Sequence, residues 1–217
     1  MSVVVARAVK QPLVALWGSY LNRLGKHPIQ TKMATSFIAA ALGDAIAQKF
    51  SSGGDNADRR FDWARMARLS TFNAGMGCLG HFYYGALDKS VGIRAPRSPS
   101  TVVAKVVIDQ LIFSPICTLL FYAFKVTSEA RPMHLKQELK QKFLPTLYAG
   151  WSLWPAAHLI NFAFVPTQHR ILYANVVSVG GSFLLSRAAA GDYSAAGKSS
   201  SMKPSREVLL DVNVKID

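Results

Sequence analysis

Asp109-Gln110, and His158 with Asn161 three residues on, put a carboxylate, an imidazole and two amides inside apolar stretches of the chain. Ionisable groups in such stretches normally face a bundle interior or a water-filled cavity, because hydrocarbon does not solvate them. Asp44 and Gln48 repeat the pattern at a spacing of four, so a helix carries both on one face. Two chemistries fit these residue types. They can line an aqueous path, with the acids setting a preference for cations as carboxylate rings do in channels. They can also hydrogen-bond membrane helices to one another. Taken together, Asp44, Gln48, Asp109, Gln110, His158 and Asn161 exceed what helix adhesion needs, which points to a polar lumen. Trp151, Trp154 and Pro155 would form a constriction or kink, since Pro155 has no N–H to give the Trp151 carbonyl. Arg170, just past Pro166, and His81 would stand near a mouth.

Enzyme chemistry finds little footing. The chain has no G-x-S-x-G, no H-E-x-x-H and no phosphate-binding P-loop. Gly75-Met76-Gly77-Cys78-Leu79-Gly80 matches the dinucleotide fingerprint G-x-G-x-x-G, but it lies in mid-segment with no strand before it. Small residues there instead let helices approach closely. Cys78 and Cys117 are far apart and form no metal-ligand pattern, so no cofactor or metal is expected.

The elements that must position these groups read as membrane helices. Phe143 to His169 carries no formal charge, and roughly 20 apolar residues suffice to cross a bilayer. Within it Trp151, Trp154, His158, Asn161 and Val165 recur at steps of three and four, giving one polar-aromatic face. Four further segments are candidates: about Met33 to Gln48, Leu69 to Leu87, about Val106 to Phe124, and Ile171 to Ser186. Only 17% of the 217 residues are charged, against about a quarter in soluble domains. The fold class predicted is all-α, a polytopic membrane bundle of about four spanning helices plus interfacial amphipathic helices.

The net charge of +13 has no nucleic-acid motif beside it. Its Lys and Arg flank the apolar stretches, as residues at headgroup level do, so the bilayer and its anionic lipids are the expected partners. Small solutes or ions, and a second copy of the chain, complete the expected set; nucleic acid does not belong to it. Val14 to Lys26, with Trp17 and Tyr20, reads as an interfacial helix, and Arg131 to Lys142 as a helix on the surface. Lys105, one turn before Asp109, is a potential neutralising partner for it. Residues 1–13 resemble a short mitochondrial targeting signal, residues 14–187 form the bundle domain, and 188–217 read as a disordered polar tail.

In this order the landmarks resemble a family, the one containing the twenty-two-kilodalton peroxisomal membrane protein and the mitochondrial inner-membrane protein Mpv-seventeen. The resemblance runs from about Leu16 to Ser186. Its carriers include Trp17, Tyr20, His27-Pro28, Gly43-Asp44, Gln48, Gly77, His81, Asp88, Lys105, Asp109-Gln110 and Pro115. The most specific are Trp151, Trp154-Pro155, Asn161-Phe162, Val165-Pro166 and Arg170. His158 stands where the family usually has Gln, and Tyr83, Cys78 and Gly181 also depart from its pattern. The resemblance implies usually four membrane crossings in an organelle membrane and a pore for small solutes, serving mitochondrial metabolite balance. The mitochondrial inner membrane is the expected setting and the peroxisomal membrane the alternative. A non-conducting structural or interaction protein is the alternative function. A lumenal His158 would make conduction vary across the usual titration range of histidine.

Overall fold

The computed structural model describes residues 2–51 and 60–183, so the expected tail over 188–217 lies outside the described residues. All regular structure among them is helical. The elements are α1 (Ser2–Lys26), α2 (Pro28–Ser51), α3 (Trp63–Ser90), α4 (Pro99–Ile108), α5 (Ser114–Ser128) and α6 (Leu135–Phe164). A final helix, α7, covers 170–183. Between α4 and α5 the chain does not break but widens into a π-turn, Asp109–Phe113. Residues 2–13 continue directly into the helix that bears Trp17.

Local sequence sets the ends. Asp62 caps α3 by accepting the Arg65 N–H at 2.8 Å, and Ser98 caps α4 with Pro99 in the first turn. Gly92, in the connection between them, has φ +71°, and a Cβ there would meet Thr101 Cγ2 at 2.1 Å. That position requires glycine. The expected surface helix over Arg131 to Lys142 is not a separate element. After a short 3-10 turn at Pro132–His134 it runs unbroken into the polar-aromatic stripe as α6, 30 residues long and continuous through Pro145 and Pro155.

The helices pair in antiparallel fashion. At one end of the α2–α3 pair Lys32 Nζ meets His81 Nδ1 at 3.0 Å, and at the other Gln48 binds the Asp62 backbone. Gly77 permits this seam: a Cβ would lie 2.8 Å from the Lys32 carbonyl oxygen. The α4–α5 rod runs along α6, fastened by Tyr122 to Thr146 at 2.7 Å and by Lys125 to Glu138. Contacts of α7 reach α2 through Asn175 to Ser36, α3 through Ile171 against Gly80, and α6 through Gly181 against Leu153. Trp17 of α1 stacks on Tyr20 and on His169, in the turn before α7, and the Tyr20 ring lies tilted against His169.

The distribution of residues is inverted relative to a soluble domain. Leu111, Ile112, Ile116, Ile160 and Phe164 are exposed, while Lys32, Asp44, Lys105, Asp109, Asn161 and Arg170 are buried. Charged residues are almost never buried in soluble interiors unless paired; hydrocarbon outside the bundle reverses the preference. Among the described residues one helix is long and apolar enough to cross a membrane by length and composition, the run Pro99–Ser128, within which an 18-residue stretch has mean hydropathy 1.8. The other four expected segments are helical over their described residues apart from the break at Val165-Pro166, but Asp44, Asn73, His158 and Asn161 and several glycines and prolines dilute them.

Candidate functional site

The π-turn creates the site. Ser114 N–H donates to the Asp109 carbonyl, five residues back, rather than to Gln110. The next residue, Pro115, has no N–H. The Gln110 carbonyl therefore lacks a helical donor, and the Trp151 indole N–H of α6 supplies one at 3.2 Å. Such single wide turns recur at functional sites because they re-aim side chains. Here Asp109 and Gln110 both turn inward and are buried. Phe113, at the end of the turn, stacks on Tyr83 of α3 with centroids 3.7 Å apart.

These side chains face a cavity of about 560 Å³ walled by α2, α3, the π-turn, α5, α6 and α7. Asp109 Oδ2 accepts from Gln110 Nε2 at 2.8 Å and lies 3.3 Å from His158 Nε2. Trp154 and Phe162, one turn before and after His158 on α6, stack on its ring at 5.2 and 5.4 Å. Asp109 Oδ1 and Gln110 Oε1 are buried with no hydrogen-bond partner among the described residues. Buried oxygens of this kind cost free energy unless a donor reaches them, so this part of the wall is polar and only partly saturated. Asn73, Thr118 and Asn175 add polar groups to the walls, and Cys117 adds a free thiol.

At one end the cavity stops. Tyr84 and Ile171 belong both to its wall and to a packed cluster with Leu87, Val102, Val106 and Phe162. Beyond the cluster lies an ionic knot. Asp88 Oδ1 accepts from Lys105 Nζ and from Arg170 Nη1, each at 2.7 Å, and Asp88 Oδ2 accepts from the Thr167 hydroxyl. Lys105 is 0% exposed and Arg170 5%. The Arg170 guanidinium also sits 5.1 Å over the Phe162 ring, and its Nε donates to the Val165 carbonyl. Burial pushes the Asp88 carboxyl up, but the bonds from Lys105, Thr167 and Arg170 outweigh it and hold the group below its ordinary value.

Of the residues singled out in the sequence, Asp109, Gln110, His158 and Trp154 line the cavity together. Asn161 stands behind His158, with its amide nitrogen 3.5 Å from both His158 Nδ1 and the Arg170 carbonyl. Trp151 braces the π-turn from outside, and Pro155 lies within α6 off the wall. Asp44 and Gln48 are elsewhere. Asp44 Oδ2 accepts from Gln48 at 2.7 Å, and its Oδ1 pairs with Arg65 Nε at 3.0 Å as an ion pair rather than a well-directed hydrogen bond. This cluster fastens the far end of α2 to the start of α3. Arg170 is buried in the knot instead of lying open at a mouth, and His81 faces Lys32. Lys105 serves Asp88 and not Asp109, because Asp88 collects three donors at the helix ends. A signal for the knot was present: Asp88, Lys105 and Arg170 each bound an apolar segment, and antiparallel alternation brings those three ends to one level.

The Mpv17 / PMP22 family model matches residues 126–186. PXMP2/4 family protein 2 of Dictyostelium discoideum is 31% identical over 176 residues, 79% of this chain and 89% of that protein. The peroxisomal membrane protein PMP22 of Arabidopsis thaliana is 32% identical over 173 residues, 78% of this chain and 87% of its own length. Protein SYM1 of Eremothecium gossypii is 35% identical over 164 residues, 74% of this chain and 88% of that one. No solved structure matches the chain.

Proposed function

From the fact that this chain belongs to the Mpv17 / PMP22 family, we infer that it is a pore for small solutes or ions, crossing an organelle membrane about four times. One observation carries this: a cavity of about 560 Å³ lies inside the bundle and presents Asp109, Gln110 and His158 to its contents. Helix adhesion alone does not require such a space. In the conformation described, the cluster around Phe162 shuts one end, so conduction needs that cluster to part. Asp109, as the buried carboxylate on the wall, favours cations. The basic segment at the start of the chain supports the mitochondrial inner membrane, where the pore would serve metabolite balance. The printed name of the Arabidopsis relative supports the peroxisomal membrane as the alternative. No chemical step on a substrate is assigned.

The test is electrical. Purified protein in a planar bilayer conducts, and Asp109→Asn shifts the cation-to-anion permeability ratio downward. Conductance also changes in His158→Gln, which removes the imidazole from the cavity wall. Silent bilayers from protein with native helicity would instead favour a non-conducting scaffold.

A further inference from the structure

A second depression lies outside the bundle, on the face that α5 and α6 turn to hydrocarbon. It is a groove of about 460 Å³ between Pro115, Ile116 and Leu119 of α5 and Leu139, Lys140 and Phe143 of α6. Its floor is apolar, it joins the exposed Ile116, Leu119 and Leu144, and α5 belongs to the Pro99–Ser128 run. Lys140 is the single charged residue among those lining it.

The charges at this end are unequal. Lys125 and Lys142 pair with Glu138, and Arg131 pairs with Glu129. Lys136 and Lys140, one turn apart on α6, are exposed and have no carboxylate partner among the described residues. Two unpaired ammonium groups therefore stand at the headgroup end of an apolar trough. We propose that this groove is a binding site for one anionic phospholipid, its acyl chain along Ile116, Leu119 and Phe143 and its phosphate at Lys136 and Lys140. The charge pairing selects this occupant over a second copy of the chain, which would bring the same two cations against each other.

The full-length protein in neutral detergent is mixed with equal phosphatidylglycerol and phosphatidylcholine, and retained lipid is counted by native mass spectrometry. Phosphatidylglycerol is expected to be held preferentially, at one molecule per chain. A lysine at an anionic surface is worth a factor of about five, so Lys140→Gln lowers that preference about fivefold and Lys136→Gln with Lys140→Gln about 25-fold. Ile116→Trp, which fills the groove, lowers retention of both lipids while circular dichroism stays native. Equal retention of the two lipids, a preference unmoved by the double lysine change, or a dimer whose interface excludes lipid would each overturn the proposal. Because the groove is outside the bundle, these variants keep their bilayer conductance, so failure here is distinct from failure of the pore.

Discussion

Two carboxylates of this bundle, Asp88 and Asp109, have opposite surroundings. Asp88 sits at the helix ends and accepts from Lys105, Arg170 and Thr167, so both its oxygens are bonded. Asp109 sits at the π-turn, where one oxygen meets Gln110 and His158 and the other accepts no well-formed hydrogen bond, although the Tyr83 hydroxyl lies beside the carboxylate. A saturated buried network rigidifies the fold around it, whereas a half-saturated one is tolerated where something else completes it. The knot is thus the fastening and the cavity the working surface.

The difference is broken most severely by Asp88→Asn. It strands two buried cations, and removing one partner of a buried pair costs about 3–5 kcal/mol, read as a lowered urea midpoint in detergent. Acid does the same progressively. Since the fold holds the Asp88 carboxyl below its ordinary value, its contribution is complete above about pH 4 and fades as pH falls through the lower folded-state value. Thermal midpoints of wild type therefore drop more steeply with acid than those of Asp88→Asn; parallel curves would count against the knot.

Trp151→Phe tests the bracing of the working surface. It keeps the ring but leaves the Gln110 carbonyl without a donor, a loss of about 1–3 kcal/mol. Pro115→Ala returns a backbone N–H to that turn, so the two changes together should cost less than their sum in a double-mutant cycle. Strict additivity would show that the indole is not the substitute donor. Asp109→Asn has the smallest effect on stability, within about 1 kcal/mol, because a neutral amide of the same shape keeps a partner and avoids a buried charge. It should change conduction far more than it changes the unfolding midpoint.

Much of the fold was legible because its causes are local. Uncharged runs mark their helices over adjacent residues, and the Asp62 and Ser98 caps and Gly92, which only the structure brought out, act over the same short range. Asp109, Gln110 and His158 were legible as a group because polar side chains in apolar runs must turn inward. The assignment of partners was not, since Asp44 and Asp109 look alike along the chain and differ only in what α3 and α6 bring to them. The joining of the expected surface helix to the stripe as α6 was missed for a related reason: charge marks the medium around a helix, not its continuity.

By itself the sequence determined which stretches are helical, that polar groups must gather inside, and that Pro115 and Pro155 withhold backbone donors. Only the tertiary structure decided which acid is saturated and which faces open space. Three helix ends supply donors to Asp88, and none of them reaches Asp109 Oδ1. Hydrogen bonds act over about 3 Å, and distances on that scale are set by packing between helices rather than by spacing along the chain.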